Sequence, residues 1–161
     1  MRLSVTTPRG AVVETEIDEI SAPGTVGEFG VLPGHVPMMA ALKPGVLTYR
    51  TGDRTLTFAV GEGFLQVAPA PAAVGGAGNA TTGSAATAAS TASTDRVLVL
   101  VDQAMGARSI DAAAARKELA ETEALLAAWK GELDGTHQEL IVRRDWSLAK
   151  VGAATRVSGT A

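Results

Sequence analysis

Two histidines, His35 and His137, seventeen carboxylates and no cysteine are the raw material for any catalytic or metal centre in this chain. The absence of cysteine excludes disulfides and thiolate zinc sites, and it fits a reducing compartment. The two histidines belong to segments of different periodicity, which argues against a shared metal site. The carboxylates of "ETEIDEI", residues 14–20, imitate a paired acid and base but read more simply as the solvated face of a strand. No Gly-x-Ser-x-Gly elbow occurs, and no Ser, His and Asp cluster as a nucleophilic triad would. The glycines Gly24, Gly27 and Gly30 lack the dinucleotide fingerprint, and no Gly-Lys-Ser/Thr follows any of them.

What remains is "GEFGVLPGHVP", residues 27–37, with three glycines and two prolines. Proline fixes φ and glycine permits turns, so the spacing predicts a rigid loop. Such a loop presents Glu28, Phe29, Leu32 and His35 to a partner at little further entropic cost. A second chemical feature lies near the end of the chain. Residues 111–139 hold seven acids against three bases, whereas residues 140–161 hold Arg143, Arg144, Lys150 and Arg156 against Asp145 alone. Two segments of opposite sign can pair with each other, or the basic one can leave for an acidic partner.

The elements that must position these residues change type along the chain. Up to about residue 105 short apolar alternations are broken by turn signals roughly every 8–12 residues, the pattern of an antiparallel sandwich or barrel. "RTLTFAV" sets Leu56, Phe58 and Val60 against Thr55, Thr57 and Ala59. Pro23-Gly24, Pro44-Gly45, Gly52-Asp53 and Gly61-Glu62 read as turns. "GFLQV" and "RVLVLV" read as hairpin partners separated by residues 68–94. That insert holds no charge and one branched apolar side chain, Val74, so disorder is expected there. Its length costs about 1.7 kcal/mol more in closure entropy than a short turn.

After Gly106 the period becomes helical. Leu119, Thr122, Leu126, Trp129 and Leu133 form one stripe, with Asp111 as N-cap or first-turn acid. "GELDG" breaks the pattern, and a second helix from about His137 sets Leu140, Ile141, Leu148 and Val151 on one side. Glu139 and Arg143 are spaced as an i, i+4 pair. The reading is a sandwich over 1–105 and a helical hairpin over 106–161, with both tryptophans packing the hairpin. A net charge of −3 and six aromatics argue against nucleic acid as a partner. No stretch approaches the ~18 apolar residues of a membrane span, and the start lacks the apolar run of a signal peptide. Any membrane association must go through a partner.

"APGTVGEFGVLPGHVPMMAALKPG" resembles the epsilon subunit of rotary ATP synthases, called delta in mitochondria. "GEGFLQV", "VLVLVDQA" and "SLAKVGAATRV" extend the likeness over nearly all of the chain outside the insert. The resemblance implies a ten-stranded β-sandwich followed by a helical hairpin, in a non-catalytic subunit of the central stalk. It further implies that Glu28, Phe29, Gly30, Leu32, Pro33, Gly34 and His35 contact the membrane-embedded ring of c subunits. One side of the sandwich would pack on gamma, and the complex would lie at the cytoplasmic face of a bacterial inner membrane. The helices would extend to block ATP hydrolysis, with Arg143, Arg144, Lys150 and Arg156 meeting the catalytic beta subunits. The competing partner of those bases is the acidic first helix. Some members bind ATP at an Ile/Leu-Asp-x-x-Arg-Ala motif. Here "IDAAAA" keeps Asp111, places Ala114 where arginine is expected, and leaves Arg116 two residues late, against ATP as a regulatory ligand. A nucleotide-sensing regulator is the alternative function, and no cofactor or metal is expected.

Overall fold

The computed structural model describes residues 1–69, 95–130 and 135–158. Up to Gly106 the described residues form ten strands: β1 (Arg2–Thr7), β2 (Gly10–Glu16), β3 (Glu19–Gly24), β4 (Gly27–Val31), β5 (Met38–Leu42), β6 (Gly45–Thr51), β7 (Arg54–Val60), β8 (Gly63–Ala68), β9 (Arg96–Val101) and β10 (Ala104–Gly106). They pair in the order β10-β7-β6-β3-β5-β8-β9-β1-β2, with β4 attached to β3. Every pair is antiparallel except β1 with β9, which run parallel from Arg2 beside Arg96. The β3–β5 joint is a single pair, Gly24 with Leu42, so the sheet turns there and folds onto itself around one core.

Alternation places the core as a period of two requires. Leu3 and Val5 of β1, Leu47 and Tyr49 of β6, Leu65 and Val67 of β8, and Val97, Val99 and Val101 of β9 are buried together with Ile20 and Val31. In β7 the reading fails at Leu56, which is exposed near the strand's start, and holds further on with one addition. Phe58 and Val60 meet this core, and Ala59 on the other face is also buried, beneath a helix. β8 and β9 pair as expected, with Ala68 opposite Arg96. Ala68 therefore belongs to the strand rather than to the insert, and the disorder expected over residues 70–94 lies outside the described residues. Pro23 and Gly24 are also strand, not turn. The two-residue turn is Thr25-Val26, and Gly24 pairs with Gly27 across it.

A 3-10 turn at Ala107–Ser109 leads to α1 (Ala112–Ala127), and α2 spans Gly135–Ser158. Asp111 caps α1 by accepting bonds of 2.9 and 3.1 Å from the Ala113 and Ala114 amides, a cap typically worth about 1 kcal/mol. The predicted stripe holds as far as Leu126. Trp129 lies beyond the helix end and packs on His137 at the hairpin tip, and Leu133 is outside the described residues.

On α2 the predicted face is wrong at Leu148, which is more than half exposed. The buried line is Ala149 and Ala153, packed on Ala59 and Ala107 with Val46, Ile110 and Trp146 around them. Small side chains are required because the helix lies so close to β6. A Cβ added at Gly152 would stand 3.1 Å from Val46 Cγ2. Trp146 thus packs at the helix–sandwich seam, not inside the hairpin.

Candidate functional site

The segment 27–37 is half strand and half loop. Phe29 and Val31 alternate inward, Val31 wholly buried and Phe29 partly buried against the core, which fixes residues 27–31 as β4. Phe29 is therefore a packing residue more than a presented one. Glu28 and Gly30 face outward. The loop proper is 32–37. Its turn is closed by the His35 amide bonding to Leu32 O at 3.1 Å. Gly34 takes φ +83°, which favours glycine, and its amide donates to Asp95 Oδ2 at 2.6 Å. His35 Nδ1 lies 2.8 Å from the Val36 carbonyl, so that nitrogen carries the ring proton. Leu32, Pro33, Gly34 and Val36 stand exposed around it.

Glu28 does not stand alone. Ser21, on the neighbouring β3, donates to Oε1 at 2.8 Å. Arg156, in the last turn of α2, donates to Oε1 and Oε2 at 3.3 Å each. The guanidinium, and then the serine hydroxyl, hold the Glu28 carboxyl below the usual range. One predicted contact residue and one predicted regulatory base thus meet directly, on elements far apart in sequence.

The other bases turn mostly to α1. Lys150 pairs with Glu118, and Arg143 Nε lies 3.7 Å from the same carboxylate. Arg143 reaches across the hairpin rather than back along α2 to Glu139. Arg144 instead pairs with its neighbour Asp145 at 2.6 Å. Glu118 is held below the carboxylate range, first by Lys150 and then, more weakly, by Arg143. Thr122 of α1, bonded to Glu118 O, and Ser147 of α2 are both fully buried, and Ser147 Oγ has no hydrogen-bond partner among the described residues. Asp111 spends its carboxylate on the α1 cap, and Arg116 is exposed one turn on. Among the described residues no three His, Asp or Glu side chains converge as a metal set would.

Four features escaped the sequence reading. Asp95 and Glu118 act across separations of 61 and 32 residues that only the fold closes, and Ser21 acts across the tight β3–β4 hairpin, seven residues from Glu28. The fourth is an apolar face on the outside of β5, β8 and β9. Met39 is 68% exposed, Phe64 54% and Leu100 47%, and Phe64 stands opposite both Ala41 and Leu100. Its signal was in the sequence: "GFLQV" and "RVLVLV" carry apolar residues on both faces of their strands, which implies a cover.

Comparison with known proteins decides the family. The family described as ATP synthase, Delta/Epsilon chain, beta-sandwich domain matches residues 1–74. The ATP synthase epsilon chain of Anaeromyxobacter sp. (strain K) is 35% identical over 156 residues, covering 97% of this chain and 98% of that one. The chain belongs to the ATP synthase epsilon family. ATP synthase epsilon chain 2 of Syntrophotalea carbinolica is 36% identical over 126 residues, 78% of this chain and 73% of its own. The fold is shared with a chain of the Euglena gracilis mitochondrial ATP synthase, solved as OSCP, F1 and c-ring, at a TM-score of 0.66 and 18% identity. That match covers 97% of this chain and 79% of the Euglena one. A chain of the Tetrahymena thermophila mitochondrial ATP synthase central stalk and c-ring matches at 0.52 and 12% identity, over 98% and 96% of the two chains. The expected sandwich and hairpin are thus those of the family. Among the described residues no helix is long and apolar enough to cross a membrane.

Proposed function

We propose that this epsilon-family chain is a non-catalytic rotor subunit of the central stalk, joining gamma to the c ring, with a hairpin that restrains ATP hydrolysis when it opens. The observation that carries the reading is the pair of surfaces the fold builds and leaves uncovered. Met39, Phe64 and Leu100 form an apolar sheet face suited to a permanent partner, which is the role of gamma. Val26, Leu32 and Val36, with Glu28 and His35, project from turns and an edge strand and suit the c ring. Beta subunits are the partner proposed for Arg143, Arg144 and Lys150 once the hairpin opens.

The hairpin's attachment has the strength such a switch needs. At about 0.8 kcal/mol per buried methyl-sized group, the alanines of the α2 seam contribute a few kcal/mol. The exposed ion pairs add ~0.2–1 kcal/mol each. A competing surface on the catalytic head can match that sum. The closed conformation uses Arg143 and Lys150 on Glu118, so the acidic first helix is their partner here. Extension would hand the same bases to another acidic surface.

The test is proton pumping in vesicles containing the ATP synthase assembled with and without this chain. The reading expects ATP hydrolysis without it to rise and to lose its coupling to pumping. Equal coupling in both preparations would overturn it.

A further inference from the structure

We infer that Glu28 is shared between the hairpin and the docking strand: the closed hairpin latches onto β4 through Arg156, so hairpin closure and availability of Glu28 form one equilibrium. The inference rests on the proposed docking role of β4 only for the identity of the outside competitor. Its geometry is internal to the chain. Both Nη atoms of Arg156 face the two carboxylate oxygens of Glu28 at 3.3 Å, the forked arrangement that gives guanidinium–carboxylate pairs their specificity. Ser21 fixes the carboxylate from the other side at 2.8 Å, so Glu28 is oriented before the helix arrives. Arg156 occupies the last described turn of α2, beyond the Ala149 and Ala153 seam. It therefore reports on the whole length of the docked helix.

The consequence follows from linkage. A cationic group that approaches β4 competes with Arg156 for one carboxylate and loosens the hairpin. Opening of the hairpin by a partner elsewhere frees Glu28 for docking. Exposed pairs are weak, and both side chains are nearly half exposed, so the coupling is a bias and not a lock. A two- to fivefold change in the open-to-closed ratio is the expected size. Closure and docking can coexist, each at the other's expense.

The chain has no cysteine, so spin labels at Arg9→Cys and Gln138→Cys report the distance between sandwich and hairpin in the full chain. Glu28→Gln and Arg156→Gln should each raise the open-to-closed ratio two- to fivefold, and the double variant should exceed neither. Glu28→Arg with Arg156→Glu should restore the wild-type ratio. In parallel, carboxyl NMR of Glu28 should show its titration midpoint rising toward the ordinary glutamate range in Arg156→Gln. It should rise equally in Gly152→Leu, which wedges the helix off without touching the pair. Singles without effect, additive singles, or an unmoved Glu28 midpoint in Gly152→Leu would each overturn the latch. Added c ring should raise the open fraction of wild type more than that of Arg156→Gln, and an equal response overturns the coupling. Failure of the chain to bind c ring at all would overturn the docking role instead, and the variant cycle alone would then decide whether the latch exists.

Discussion

Val46 crowds residue 152: a Cβ on Gly152 would lie 3.1 Å from Val46 Cγ2, so any side chain there needs Val46 to give way by a few tenths of an ångström. This contact sets how closely α2 approaches β6, and the closed hairpin depends on it. Gly152→Leu should therefore undock α2, with overpacking of about 1–3 kcal/mol shifting the hairpin toward the open state. Because glycine costs a helix about 1 kcal/mol relative to alanine, Gly152→Ala combined with Val46→Ala should leave the helix docked and more helical. Spin-label distances separate the two outcomes. An undisturbed distance in Gly152→Leu would mean that α2 is not held by this seam.

Glu118 gathers both Lys150 and Arg143 and is the sharpest probe of the closed state. Glu118→Gln removes that anchor without touching the bases, so the freed bases become available to the catalytic head. ATP hydrolysis by the assembled complex should fall about two- to tenfold, from two weak pairs lost together. A rise in hydrolysis would show that Glu118 itself serves the inhibited state.

The same carboxylate predicts a pH dependence. Its pKa is depressed in the folded chain, chiefly by Lys150. The stabilisation it gives is therefore complete above the ordinary glutamate value of about 4.3 and is lost as pH falls through the lower, folded value. Hairpin closure, followed by spin-label distance, should weaken below roughly pH 4.3. In Glu118→Gln that part of the response should vanish. An identical acid profile in the variant would assign the effect to other carboxylates.

Much of the fold was legible because it rests on period. Leu47 and Tyr49, Leu65 and Val67, and Val97 and Val99 alternate as buried strand residues must, and Asp111 caps α1 as its position predicted. The errors share a cause. Leu148 was placed inward because a large apolar residue looks like core, whereas the real contact uses Ala149, Gly152 and Ala153, chosen for their smallness. β4 was read as loop because its glycines mask the inward alternation of Phe29 and Val31. Of the site, Glu28, His35 and the basic end of α2 could be picked out by type and spacing. Their partners could not. Asp95 on Gly34 and Arg156 on Glu28 are 61 and 128 residues apart, and nothing local encodes such pairings.

The exposed face of β5, β8 and β9 yields a prediction about assembly. Phe64→Glu places a charge on a residue already 54% exposed, so the isolated chain should lose no more than about 0.5 kcal/mol of stability. If the face meets gamma, affinity for gamma should fall at least about tenfold, as charging a desolvated aromatic contact does. Thermal unfolding and titration calorimetry read the two effects independently. Unchanged affinity would move the gamma contact elsewhere on the sandwich.

The central claim is that this chain joins gamma to the c ring, and co-purification tests it most directly. Tagged wild-type chain should draw both gamma and c subunits from detergent-solubilised membranes of cells expressing the whole complex. Phe64→Glu should lose gamma preferentially, and Glu28→Lys should weaken retention of c. Recovery of the chain without either subunit, from membranes that contain an intact ATP synthase, would contradict the claim.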